Sequence, residues 1–120
     1  MTVHWTDYAV ENLSRIHDHV LRESGSEVRA DRQIKRLVKR GRNLASFQLL
    51  GQIVPEWNDP SVRQIIEGSY RVIYRVNTQD DRVDVLTVHH GKLRLPRLDE
   101  LLEEALRRLL LNNDPDATRR

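Results

Sequence analysis

Two hydrophobic periods, that of a strand and that of a helix, take turns along the chain. In "TVHW", residues 2–5, Val3 and Trp5 alternate with Thr2 and His4, which predicts a short first strand. Thr6 or Asp7 can cap a helix whose apolar stripe is Ala9, Leu13, Ile16 and Val20, and Gly25 stands where a helix-ending glycine belongs. Ser26 can cap a second helix with Ala30, Ile34, Leu37, Val38 and Leu44 on one side. Two helices joined by Ser-Gly-Ser should lie antiparallel as a hairpin. From Ala45 to Pro60, "ASFQLLGQIVPEWNDP" follows neither period and reads as an ordered connection.

The period then becomes two. "SVRQIIEG" predicts a strand of weak alternation. "SYRVIYRVN" alternates cleanly, with Tyr70, Val72, Tyr74 and Val76 opposite Arg71, Ile73 and Arg75. After the turn residues "TQDD", "RVDVLTVHHG" places Val83, Val85, Thr87 and His89 opposite Asp84, Leu86, Val88 and His90. Three strands joined by short turns predict an antiparallel meander, and a helix pair covering one face makes the fold class α+β. Beyond Pro96, Leu98, Leu101, Leu102, Ala105, Leu106, Leu109 and Leu110 form the stripe of a third helix, with Glu103–Arg107 and Glu104–Arg108 as i, i+4 pairs. The helix either packs back on the domain or serves as an interface. Residues 1–96 are expected to form one domain, 97–112 its C-terminal amphipathic helix, and 113–120 a flexible tail.

Composition adds limits. A chain of 120 residues can bury about two-thirds of its unfolded surface. It contains no cysteine, so neither a disulfide framework nor a thiolate zinc site is available. No run approaches the roughly 20 apolar residues of a membrane span, and no signal-peptide pattern opens the chain, so a cytoplasmic protein without membrane contact is expected. Net charge is only +2, which argues against a bulk DNA coater. The charge is uneven: Glu27–Arg42 holds seven Lys or Arg against two acids. That run is either a solvated helix face or a surface for an acidic partner, and Arg29, Lys35, Arg36 and Lys39 are its candidate contacts.

Arg71 and Arg75 interrupt an otherwise apolar strand. They either cross-pair with Asp84 or Glu67 on a wet sheet face or form a cationic site for phosphate or carboxylate, to which forked guanidinium donors suit. His89 and His90 are adjacent on a strand and point to opposite faces, which disfavours a shared metal. One of them could act as a general base near neutral pH. Lys92 and Arg94 extend the positive charge beyond Gly91. Glu67 could serve as a base but reads more simply as a solvated turn acid. No metal or organic cofactor is indicated.

The ordered set of motifs resembles the RelE/ParE family of bacterial toxins from type II toxin–antitoxin systems. "HWTDYAVENLSRIHDHV" looks like the family opening. "GQIVPEW" is similar to its G-x-x-V-P-E connection, here Gly51, Val54, Pro55 and Glu56. "VRQIIEGSYRVIYRV" resembles its core strands, here Arg63, Tyr70, Arg71, Val72 and Tyr74, and "VLTVHHGKLRLP" its closing strand. The resemblance spans about residues 2–96. It implies a fold of one strand, a helix hairpin and a meander, and it implies two alternative chemistries. RelE-like members cut messenger RNA on the ribosome, using the ribose 2′-hydroxyl, basic residues on the phosphate and an acid or base near the C-terminus. ParE-like members poison DNA gyrase by contact. Both are neutralised by an antitoxin whose C-terminal segment wraps the toxin.

Residue by residue, Arg71 falls on the core arginine of both branches, and Lys92 and Arg94 fall near a second basic position. Beyond Gly91 the chain has no tyrosine or histidine, so only His89 or His90 could supply acid–base chemistry. The V-P-E and H-G-K motifs are more ParE-like. The resemblance therefore favours a gyrase-directed binding toxin with a cognate antitoxin as partner. Arg29, Lys35, Arg36, Lys39, Arg71, Arg75, Lys92 and Arg94 are its candidate antitoxin or target contacts. The alternatives are a ribosome-dependent mRNA endoribonuclease using Arg71, His89, His90, Lys92 and Arg94, and a non-toxic binding module of the same fold. A homodimer and a heterotetramer with the antitoxin are both compatible with this reading.

Overall fold

The computed structural model describes residues 1–95 and 97–112, the side chains of Leu109 and Asn112 excepted. Pro96, the Leu109 position of the expected stripe and the tail expected from residue 113 lie outside that description. The elements are β1 (Thr2–Trp5), α1 (Asp7–Ser24), α2 (Glu27–Asn43), β2 (Gln52–Ile53), β3 (Val62–Glu67), β4 (Tyr70–Asn77), β5 (Arg82–His90) and α3 (Leu98–Asn112). The α+β architecture is the one expected from the periodicities. Among the described residues, no helix is long and apolar enough to cross a membrane.

The helix hairpin is set by its caps. The Thr6 hydroxyl accepts a hydrogen bond from the Ala9 N–H, and the Ser26 hydroxyl one from the Arg29 N–H, so each helix starts with a satisfied orphan donor. Between them Gly25 adopts φ +66°, the left-handed conformation that ends α1. α2 packs so closely on β1 that a Cβ on Gly41 would lie 2.3 Å from the Trp5 ring.

The sheet order is β1-β5-β4-β3-β2. β3, β4 and β5 form the expected antiparallel meander. Two features were not legible in the sequence. β1 runs parallel to β5, with Val3 opposite Val83 and Trp5 opposite Val85, so the sheet is mixed. Within the connection read as irregular, Gln52 and Ile53 pair with Gln64 and Arg63 as a two-residue edge strand.

A β-bulge corrects the expected faces of β5. Ile73 pairs with Thr87 but Tyr74 pairs with Val85, so Leu86 is the extra residue. The bulge resets the alternation: Val83, Val85 and Val88 all join the cluster beneath the hairpin, while Leu86 joins a second cluster. His90, opposite Tyr70, therefore lies on the hairpin side, and His89, opposite Arg71, on the other. The bulge is braced from α1, where the buried Asn12 Oδ1 accepts hydrogen bonds from Thr87 Oγ1 (2.8 Å) and the Val88 N–H (3.0 Å).

The main core lies between hairpin and sheet, where Ile16, Leu37 and Leu44 meet Val72, Tyr74 and Val85. A wet second sheet face was one of the two readings of Arg71 and Arg75. That face carries instead a smaller core of Val54, Val62, Ile73, Leu86 and Leu101, with Trp57, Leu95 and Leu98 packed against it. α3 thus packs back through Leu98 and Leu101, and Arg108 ties it to α1 by a two-point ion pair with Glu11 at 2.7 and 3.0 Å. Leu106 and Leu110 remain exposed. Of the two expected helical pairs, Glu104–Arg108 forms, whereas Arg107 takes Glu104 in place of Glu103.

Candidate functional site

The start of β4 and the end of β5 meet at one end of the sheet, so Arg71, His89, Lys92 and Arg94 come together. A cleft of about 460 Å³ there is lined by Glu56, Ile66, Arg71, His90 and Lys92, among others. Arg71 does not cross-pair with Asp84 or Glu67. Its Nη2 donates to Glu56 Oε2 at 2.7 Å and its Nη1 to Glu56 Oε1 at 3.2 Å, while Nη1 also reaches Gln64 Oε1 at 3.1 Å. Asp84 is taken by Arg82, and Glu67 lies 3.5 Å from Arg40. The Arg71 side chain is only 12% exposed. The guanidinium therefore closes on a carboxylate of its own chain, and an incoming phosphate would have to displace Glu56.

His89 is equally engaged. Its Nε2 lies 3.0 Å from the Arg94 carbonyl oxygen, which can only accept, so Nε2 carries the proton. Burial lowers its pKa from the ordinary histidine value, and the nearby Arg71 charge lowers it further, although the Arg94 carbonyl acts in the opposite direction. The net shift favours the neutral ring, whose Nε2–H is spent on the Arg94 carbonyl. His90 stacks edge-on against Tyr70 with centroids 5.4 Å apart, and its Nδ1 accepts from the Lys92 N–H at 3.1 Å. Lys92 and Arg94 are exposed.

The other expected contacts lie elsewhere. Arg75 sits further along β4, opposite Asp84, and is exposed. Arg29, Lys35, Arg36 and Lys39 are all exposed on α2, across the sheet from Arg71, while Ala30, Leu37 and Gly41 of the same helix are buried. Arg71 and the α2 cations thus lie on opposite sides of the sheet, while Lys92 at the sheet end lines a cavity on each side. Sequence reasoning missed the role of Glu56, although Gln64 was findable as the residue of β3 one strand away from Arg71 on the same face.

The Glu56 clasp has a pH signature. The Arg71 hydrogen bonds hold the Glu56 carboxyl below its ordinary value, with burial opposing them. A depressed carboxyl contributes stability above its unfolded pKa, about 4.3 for Glu, and loses it as pH falls through the lower folded value. Because Glu56 is 46% exposed, solvent screens the pair and its worth is about 1 kcal/mol. Glu56→Gln should therefore lower urea-melt stability by about that amount at neutral pH, and the difference should be lost as pH falls below the ordinary Glu value of about 4.3.

A helix hairpin laid on a mixed five-stranded sheet, with Arg71, Glu56 and Lys92 lining a cleft at the sheet end, defines a small α+β protein. The family model for the ParE toxin of the type II toxin–antitoxin system parDE matches residues 3–94, and the chain belongs to that family. Among solved structures, the chromosomal ParDE toxin–antitoxin system of P. aeruginosa aligns with a TM-score of 0.65 at 22% identity, covering 77% of this chain and 97% of that one. The RelBE2 toxin–antitoxin complex of Mycobacterium tuberculosis aligns at 0.53 and 19% identity, covering 74% and 95%. The isolated E. coli RelE toxin aligns at 0.50 and 17%, covering 90% and 97%. A search among curated protein sequences finds no match. The chain is thus a toxin of a type II toxin–antitoxin system with the fold shared by ParE-like and RelE-like proteins.

Proposed function

We propose that this toxin acts by holding DNA gyrase through protein–protein contact, and that a cognate antitoxin neutralises it in the cytoplasm. The observation that carries the reading is the commitment of Arg71 and His89. A nuclease of the RelE type needs a cation free to meet the scissile phosphate and a group able to move protons. Here the guanidinium is engaged at two points by Glu56, and the Nε2–H of the histidine beside it is tied to a backbone carbonyl. The ParE family match supports the same branch, and the ParDE and RelBE2 neighbours support an antitoxin partner.

A second reading, mRNA cleavage on the ribosome, draws on the gathering of Arg71, His89, His90, Lys92 and Arg94 at one sheet end. Tightly controlled expression in bacteria separates the two. Gyrase poisoning should give growth arrest with DNA damage, an SOS response and intact messages. Arrest with cut messages, abolished by combined replacement of Arg71, His89 and His90, would establish the nuclease. Expression without arrest would leave a binding module that has lost its target.

A further inference from the structure

The third helix leaves an apolar row uncovered. α3 lies beyond residues 3–94, the span of the family match. Leu98 and Leu101 hold it to the second core. Leu102, Leu106 and Leu110 follow one another at spacings of four on a different side of the helix, and Leu106 and Leu110 are each more than half exposed. A single exposed leucine is ordinary, but a row of them along one helix marks an interface. A groove of about 470 Å³ opens beside the row. Leu102, Ala105 and Leu106 form one wall, and Tyr8 and Leu86 also line it. Its charges are mixed, Arg75, Arg82 and Arg108 with Asp7 and Asp84, so it does not select a polyanion.

The charge along α3 says what covers the row. Asp99, Glu100, Glu103 and Glu104 occupy its N-terminal half, and Arg107 and Arg108 its C-terminal half. A second α3, turned end for end about a two-fold axis near Leu106, sets Leu102 of one copy against Leu110 of the other and Leu106 against itself. The same axis brings Glu103 of each copy to within one residue of register with Arg107 of the other, because that pair is centred on Ala105. The helix is therefore complementary to its own antiparallel copy, as a closed two-fold interface requires. A parallel copy would set acid on acid. Glu103 makes no ion pair among the described residues, and Arg107, whose side chain is 72% exposed, pairs with Glu104 of its own helix.

We infer that α3 is a self-association surface, on which a second copy of this chain docks antiparallel with its leucines entering the groove beside the row. A pair of 15-residue helices lies near the low end of specific interfaces, about 1,200 Å² in total, so dissociation in the micromolar range is expected. This assembly does not depend on which target the toxin meets.

The test is sedimentation of the full chain between about 1 and 200 µM, where the mean mass should rise from monomer towards dimer. Leu106→Glu combined with Leu110→Glu, both at exposed positions, should stay monomeric throughout with the parental urea midpoint. Glu103→Arg alone and Arg107→Glu alone should each weaken the dimer about tenfold. An equimolar mixture of those two chains should restore it, because every substituted residue then faces its opposite. Should the leucine variant fail to fold, the mixture decides alone. A parent that stays monomeric at the highest concentration overturns the inference, and loss of growth inhibition in the leucine variant would then assign the row to the target. A dimer that survives the leucine substitutions, or one that mixing does not restore, also overturns it.

Discussion

Replacing Gly51 by alanine is expected to destabilise the protein by about 3–5 kcal/mol, from overpacking and the loss of buried hydrogen bonds together. An added Cβ would lie 2.4 Å from the Gln64 carbonyl oxygen and 2.7 Å from the Tyr74 hydroxyl. The first of these is backbone of β3 and cannot retreat without breaking the sheet ladder. The second is a hub: Tyr74 is fully buried, accepts a hydrogen bond from the Gly51 N–H at 2.9 Å and donates to the Gln48 carbonyl at 2.8 Å. The Gly51 carbonyl in turn accepts from Arg63 Nη1 at 2.9 Å. Any shift that relieves the clash therefore opens a buried polar network as well. Gly68→Ala is the control. Gly68 has φ +59° but no atom within 4 Å of its Cβ position, so only backbone strain of about 1 kcal/mol is expected. Urea melts of the two variants check this. A loss at Gly51 no larger than that at Gly68 would mean the connection is held loosely.

Asn12→Ala should cost about 3 kcal/mol, more than a residue on the polar side of an amphipathic helix would suggest. The Asn12 Oδ1 accepts both the Thr87 hydroxyl and the Val88 N–H beside the bulge, and both donors are buried. Removing it strands two buried donors, each worth about 1–3 kcal/mol when unsatisfied. Hydrogen exchange adds a local reading: the Val88 amide should lose protection ahead of the rest of β5. Because the bulge decides which way His89 and His90 point, the same variant should disturb the Tyr70–His90 ring contact. An Asn12→Ala protein with parental stability and unchanged Val88 exchange would show that the bulge needs no brace.

The legible part of this fold was whatever repeated. Helical spacing of Ala9, Ile16 and Leu37 and strand alternation of Tyr70, Val72 and Tyr74 identified the hairpin, the meander and the face that joins them. Capping at Thr6 and Ser26 and the break at Gly25 were visible because their chemistry is local. The bulge at Leu86 was not, since it is fixed by Asn12, seventy-five positions from Thr87 in the chain. Alternation carried across it placed His89 on the wrong side. The parallel pairing of β1 and the short edge strand β2 were hidden for a related reason, as strand partners are chosen at long range. Of the candidate site, the sequence named the cations but not their availability. Arg71 and Arg29 look alike in a sequence, yet one is closed by Glu56 and the other is exposed and makes no ion pair among the described residues.

The proposed mode of action is binding, with Arg71 held by Glu56 of the same chain. The most direct test adds purified protein to DNA gyrase and relaxed plasmid. Loss of supercoiling or accumulation of cleaved gyrase–DNA complexes, with ribosome-bound messages left whole in a parallel reaction, is the predicted result. Gyrase that supercoils normally at large toxin excess, together with cut messages, would contradict the account and return Arg71 and His89 to catalysis.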